Sequence, residues 1–145
     1  MYKHLLIATD GTNVGQKAVE QGLKLAKAVN AKVTGVTVTE IWSALDVAGK
    51  DGLIKIEKYE TAASEAAQSI LHAFSAAAKE AGVECETIHV PDSSPCDGIV
   101  HTAEHQGCDL IVMASHGRRG INRLLLGSQA QSVISHAKIP VLICR

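Results

Sequence analysis

Residues 110–128 place Gly117, Gly127 and Ser128 where a buried strand is followed by a helix. The run Leu110–Ala114 is unbroken and apolar, which is typical of a parallel strand covered on both faces. Gly117 follows this strand, and Gly127 and Ser128 begin a helix. The first N–H groups of a helix have no partner within it and carry partial positive charge, and a glycine lets backbone approach a ligand where a Cβ would obstruct. The pattern predicts a phosphate site made of backbone groups.

Ser128 also has an interpretation that needs no ligand. With Gln131 three residues later it forms the signature of a capping box, in which the serine is the N-cap of the helix. The two interpretations are compatible, because the backbone N–H groups of Gln129 and Ala130 can hold phosphate while the hydroxyl caps.

The elements that position these groups alternate between strand and helix along the chain. This alternation predicts an α/β fold with an open, mostly parallel sheet and helices on both faces, in one domain over residues 1–145. Ligands of such sheets bind beyond the carboxyl ends of the strands, where the strand order reverses. The predicted strands span 3–9, 33–38, 85–90, 110–114 and 139–144, and the predicted helices run from Thr12 or Asn13 to Val29, from about 56 to 81, from Pro95 to about Gly107, and over 128–136.

Residues 40–54 carry weaker signals. Gly49, Asp51 and Gly52 predict a loop, with Trp42 and Leu45 packing beneath it, and we expect this segment to form part of a lid over the ligand.

Composition narrows the classes of partner. A chain of 145 residues fits one domain, and its formal net charge of -1 gives no electrostatic reason to expect nucleic acid. No apolar run is long enough to span a membrane, and no signal-peptide pattern follows Met1, so we expect a cytoplasmic protein without a membrane partner. The four cysteines form no CxxC pair and are expected to be packing residues.

The same motifs resemble the universal stress protein family. Ala114-Ser-His-Gly117, nine residues, and Gly127-Ser128 are similar to the family's nucleotide loop, with Ala114 standing where the family has its first glycine. The opening residues 3–10 and the closing residues 138–143 also resemble the family, so the resemblance covers nearly the whole chain.

The resemblance implies a Rossmann-like sheet of the adenine nucleotide alpha hydrolase type, with strand order 3-2-1-4-5. It implies a stress-response regulator or sensor that binds ATP, or AMP or ADP, with or without Mg²⁺ or Mn²⁺, and a homodimer formed through Val141–Cys144. The implied nucleotide-binding residues are Ala8, Thr9, Asp10, Val38, Met113, Ala114, Gly117, Gly127, Ser128, Gln129 and Ala130.

Three of these residues also have particular interpretations. Asp10 is either an ordinary turn residue of Asp-Gly-Thr or a contact to the adenosine or its metal. The backbone of Val38 is expected at the adenine edge and that of Met113 near the ribose, with both side chains in the core.

Other functions stay open at this stage. Ala114 favours a nucleotide-free dimeric scaffold of the same family. An enzyme with slow ATP hydrolysis is the third class, although the chain has no Walker loop, no GxSxG elbow and no catalytic residue that can be named. Arg118, Arg119 and Arg123 are interpreted as solvated loop residues or as phosphate contacts, and His116 as a polar surface residue or a general base.

Overall fold

A computed structural model describes residues 1–41, 50–92, 94–117 and 125–145. Within these ranges five strands alternate with four helices, as the sequence predicts. Their bounds are β1 His4–Ala8, α1 Asn13–Val29, β2 Lys32–Glu40, α2 Lys50–Ala81, β3 Cys85–Asp92, α3 Pro95–Gln106, β4 Leu110–Ala114, α4 Ser128–His136 and β5 Val141–Cys144.

All strand pairs in the sheet are parallel, and their order is β3-β2-β1-β4-β5. This confirms the fold class and the strand order that the resemblance implies. The strands β1 and β4 are neighbours, with Ile7 opposite Val112. The chain crosses from one half of the sheet to the other between them, so the loops that follow Ala8 and Ala114 meet at one edge.

Helices cover both faces of the sheet. Apolar side chains of β1 alternate between the two faces: Leu5 and Ile7 pack with α1 and with Phe74 of α2, whereas Leu6 packs with α3 and α4. Each of these three side chains is fully buried. Alternation at a period of two thus divides one continuous apolar strand between two cores.

Local signals fix most helix ends. Thr12 caps α1 by accepting a hydrogen bond from the backbone N–H of Gly15, and Asn30 ends the helix in the left-handed conformation. Pro95 lies in the first turn of α3, whose end at Gly107 is also left-handed. The end of α1 at Val29, the beginning of α3 at Pro95 and its end near Gly107 were expected from sequence, and Thr12 was one of two residues expected at the beginning of α1.

The expectation for residues 40–54 is partly wrong. Asp51 and Gly52 belong to the first turn of α2, which begins at Lys50 rather than near Ile56. Trp42, Leu45 and Gly49 lie outside the described residues. The remaining differences are strand ends: β1 and β5 are shorter than expected, and β2 and β3 are longer. None of the helices in the described ranges is both long enough and apolar enough to cross a membrane.

Candidate functional site

A cavity of about 830 Å³ opens at the carboxyl ends of the strands. This size lies within the range of small-molecule sites, and the position is where open α/β sheets bind ligands. All eleven residues named from the sequence line this cavity: Ala8, Thr9, Asp10, Val38, Met113, Ala114, Gly117, Gly127, Ser128, Gln129 and Ala130. The structure therefore brings the whole set together, and the binding role of each residue stays a prediction.

Asp10 lies between β1 and the beginning of α1. Its Oδ1 accepts hydrogen bonds from the backbone N–H of Thr12 at 3.0 Å and from the Thr12 hydroxyl at 2.6 Å. A Cβ on Gly15 would lie 2.7 Å from the same Oδ1, so the absence of a side chain there lets the carboxylate rest on the first turn of α1. The position suits a negative charge, because the N-terminus of a helix is its positive end.

The other oxygen of Asp10 faces the loop after β4. A Cβ on Gly117 would lie 3.0 Å from Asp10 Oδ2. The Asp-Gly-Thr turn and the glycine loop therefore meet directly. The turn interpretation of Asp10 is confirmed by its bonds to Thr12, and the same side chain also lines the cavity.

Gly127 packs against the backbone that follows β4. Its N–H donates to the carbonyl oxygen of Ser115 at 2.7 Å. A Cβ on Gly127 would lie 2.8 Å from that oxygen and 2.9 Å from the Cα of His116. The sequence suggested that this glycine makes room for a ligand. In the structure, the space that a Cβ would need is instead occupied by the protein's own backbone at Ser115 and His116.

The capping box expected at Ser128 is wrong. Gly127 is the N-cap of α4, and no side chain caps the helix. Gln131 instead donates from its Nε2 to the carbonyl oxygen of Leu126 at 2.7 Å. Because Ser128 is already helical, its hydroxyl does not occupy the capping position. The first N–H groups of α4 thus lie at the cavity without a side-chain cap.

Ala114 is the last residue of β4 and has ordinary extended backbone. Among the described residues other than glycine, Asn30 alone has a positive φ, so Ala114 does not need the conformational freedom of glycine. Ala114 packs partly against the core that includes α1. Met113 and Val38 pack in the opposite core, with Met113 buried and Val38 half-buried, as expected of their side chains.

Sequence reasoning missed one wall of the cavity. This wall comes from α2 and faces Thr37 and Thr39 of β2; its residues are Tyr59, Ala62, Ala63, Ala66, Ala67 and Ile70. The alanine-rich composition of α2 is visible in the sequence. The alanine pairs 62–63 and 66–67, four residues apart, are the signal that could have identified a smooth helix face beside a ligand.

The described residues hold no group of three or more histidine, cysteine, aspartate or glutamate side chains able to bind a metal. Asp10 and Glu40 are the carboxylates among the cavity residues. Mg²⁺ commonly binds through one or two carboxylates together with phosphate oxygens of a ligand, so this donor set fits a cation brought in by a phosphate. Arg118, Arg119 and Arg123 lie outside the described residues.

The cysteines lie apart from the cavity and are free thiols. Cys96, Cys108 and Cys144 are buried, as expected of packing residues, whereas Cys85 on the edge strand β3 is only half-buried. Burial raises the pKa of the Cys108 thiol to about 11, so this thiol is not a nucleophile at neutral pH.

The fold and the site define a parallel α/β protein with a cavity at the carboxyl ends of the neighbouring strands β1 and β4. The family model described as the universal stress protein family matches residues 1–145. A universal stress protein of Methanocaldococcus jannaschii is 33% identical over 145 residues, which cover all of this chain and 83% of that protein. The chain belongs to the universal stress protein family.

Solved structures share the fold. UspA from Lactobacillus plantarum superposes with a TM-score of 0.87 over 99% of this chain and 98% of its own, at 20% identity. A universal stress protein solved in complex with cAMP superposes with a TM-score of 0.73 over 99% and 97% of the two chains, at 31% identity.

Proposed function

We propose that this protein binds an adenine nucleotide, ATP with a divalent cation, and acts as a stress-response regulator or sensor. The observation that carries the proposal is the convergence of all eleven sequence-named residues on one cavity at the carboxyl ends of β1 and β4. The structure of the 31%-identical relative in complex with cAMP supports an adenine nucleotide as the ligand class.

The beginning of α4 is the proposed phosphate end of the site. The N–H groups of Ser128, Gln129 and Ala130 lie at the cavity, and α4 has no side-chain cap to compete with a ligand. Such groups favour an anion through hydrogen bonds and through the helix dipole. Asp10 and the phosphate oxygens together supply the oxygen ligands that Mg²⁺ or Mn²⁺ takes.

The end of β2 is the proposed adenine end. Val38 offers its backbone groups to the edge of the base, and the half-buried Val38 side chain, together with Ile99 and Met113, gives that part of the cavity an apolar surface. The alanine-rich face of α2 lines the same cavity and offers small apolar side chains to a flat ring.

A regulatory role requires a surface that reports the nucleotide state. We include in the proposal a homodimer formed through β5, which is an edge strand with Leu142 38% exposed. An open strand edge is suited to pairing with a second chain. A cytoplasmic location is part of the same proposal and is supported by the free cysteines, which suit a reducing compartment.

The test is calorimetric titration of nucleotide-stripped protein with Mg-ATP, with Mg-GTP as the matched control. We expect saturable ATP binding and a raised melting temperature, with little heat from GTP. Absence of both heat and thermal stabilisation up to millimolar ATP would overturn the proposal and favour the nucleotide-free scaffold.

A further inference from the structure

We propose that His116 donates a hydrogen bond to the phosphates of the bound nucleotide and that Ser115 positions its ring. This inference rests on the proposed nucleotide site and assigns it a side chain donor in addition to the backbone of α4. His116 lines the cavity, with Gly117, which lies beside Asp10, next in the chain, and with Gly127, the N-cap of α4, against its backbone.

The backbone of His116 is held at the beginning of α4. Gly127 lies against it closely enough that a Cβ there would be 2.9 Å from His116 Cα and 3.2 Å from His116 Cβ. On its other side, Ser115 donates its N–H to the carbonyl oxygen of Cys144 in β5 at 2.8 Å. The Cα and Cβ of His116 are therefore held beside Gly127, the residue that precedes the N–H groups that we assign to phosphate.

Ser115 Oγ lies 3.0 Å from His116 Nδ1. The serine is 5% exposed, whereas the histidine is half-exposed at the cavity. Among the described residues, this hydrogen bond accounts for Nδ1 and leaves Nε2 as the ring nitrogen available to a ligand.

The hydrogen bond at Nδ1 determines what Nε2 can do. When the serine hydroxyl donates to Nδ1, the proton of the neutral ring lies on Nε2, which is then a donor. When the ring is doubly protonated, Nδ1 donates to the serine and Nε2 is again a donor. Only the neutral form with its proton on Nδ1 lacks that donor, and an anion in the cavity disfavours this form.

The ligand that this arrangement recognises is therefore an anion with accessible oxygens, such as the phosphate chain of the nucleotide. Loss of the His116 donor is therefore expected to weaken the binding of nucleotides, which carry phosphate, and not the binding of the nucleoside. Removing a hydrogen bond to a charged group typically weakens binding by roughly 10- to 100-fold.

The experiment measures the affinities of ATP, AMP and adenosine for the full chain, for three single variants at His116 and Ser115 and for one double variant. His116→Leu keeps the bulk of the side chain but removes the donor; we expect ATP affinity to fall roughly 10- to 100-fold and adenosine affinity to change by less than about 3-fold. His116→Gln carries an amide donor at a similar reach and is expected to recover part of the ATP affinity. His101→Ala, an exposed position on α3, is the control and is expected to bind as the parent does.

Ser115→Ala tests the positioning role. Alone it is expected to weaken ATP binding, and in the His116→Leu background it should cause no further loss, because its effect acts through the ring. Equal losses for ATP and adenosine, or additive effects of the two substitutions, would show that these residues only maintain the loop and would overturn the proposal.

The two proposals fail in different ways. If the parent protein binds none of the three ligands, the proposed function itself fails. If the parent binds ATP and the His116→Leu variant binds it equally well, the nucleotide site stands and the role of His116 is refuted.

Discussion

Gly127 donates its N–H to the carbonyl oxygen of Ser115 at 2.7 Å, so the residue before α4 is bonded to the residue after β4. The loop between them therefore leaves and returns at nearly the same point, with the beginning of the helix held against the end of the strand. Gly127 has a φ of -62°, which any residue can adopt. Its small size matters because the Ser115–His116 backbone occupies the space of a Cβ.

Gly127→Ala tests this relationship. The added methyl group would lie 2.8 Å from Ser115 O, so backbone must move. We expect the free energy of unfolding to fall by about 1–3 kcal/mol, the usual cost of overpacking, and ATP affinity to fall as the beginning of α4 shifts. Chemical denaturation and calorimetry measure the two effects.

Gly117→Ala is the comparison for that variant. Its Cβ would meet a side-chain oxygen, Asp10 Oδ2, at 3.0 Å, and a side chain can rotate away more easily than backbone. We expect a smaller loss of stability than for Gly127→Ala. A Gly127→Ala variant as stable as the parent would contradict the packing argument.

Ala114→Gly tests whether the departure from the family pattern weakens binding. Ala114 has no positive φ, and its side chain packs partly against the core, so a glycine there gains no needed conformation and loses a methyl contact. We expect the free energy of unfolding to fall by about 0.5–1 kcal/mol. ATP affinity should rise by less than about 3-fold; a gain of an order of magnitude would show that the methyl group obstructs the ligand.

Helix ends that are marked by a local sequence signal could be predicted, whereas ends that depend on packing could not. Asn30 and Gly107 mark helix ends through residue types that tolerate the left-handed conformation, so their positions follow from sequence. The beginning of α2 was misplaced because Gly52 indicates a loop by propensity alone. In the structure Gly52 is buried within the helix, and tertiary contacts override such a weak local preference.

The site shows the same division. The residues of the strand ends and loops were identified from the order of the motifs, but the cavity wall from α2 was not. Periodicity shows that one face of a helix is apolar, but it does not show whether that face packs in a core or lines a cavity.

The N-cap of α4 was misassigned for a related reason. Ser128 and Gln131 match a capping pattern, yet the bond from Gly127 to Ser115 sets where the helix begins.

Asp10→Asn tests the proposed cation contact. Asparagine can still accept the hydrogen bond from Thr12 but removes the negative charge. We expect ATP affinity in Mg²⁺ to fall roughly 10-fold, while ATP affinity in EDTA changes little, because a hard cation prefers charged oxygen ligands. Asp97→Asn, an exposed aspartate in the first turn of α3, is the matched control. Equal losses with and without Mg²⁺ would contradict a metal-linked role.

His4 makes stability depend on pH. Burial, reinforced by the nearby Lys32, lowers the pKa of His4 below its usual 6.5, and its Nε2 lies 2.7 Å from Thr34 Oγ1. The unfolded chain therefore takes up a proton at a higher pH than the folded protein does. The contribution of His4 to the free energy of unfolding is full above about pH 6.5 and is lost as the pH falls towards the lowered pKa of the folded protein. The free energy of unfolding then falls by at most about 1.4 kcal/mol per pH unit.

His4→Gln should reduce that slope, since glutamine does not titrate. The measurement is urea denaturation at intervals between pH 8 and pH 5, with His101→Gln on exposed α3 as the control that keeps the parent slope. Identical slopes in the parent and in His4→Gln would contradict the assignment to His4.

Leu142→Lys tests the proposed dimer. Leu142 lies in the edge strand β5 and is 38% exposed, and Ile134 of α4 is another exposed apolar residue, at 46%. A lysine on an edge strand opposes pairing because it would place charges of the same sign in both copies at the interface. We expect sedimentation to show a dimer for the parent and a monomer for the variant at micromolar concentration. Leu53→Lys, an exposed position on α2, is the control for added charge away from β5. A parent protein that sediments as a monomer would refute pairing through β5, and the nucleotide would then have to act through another surface.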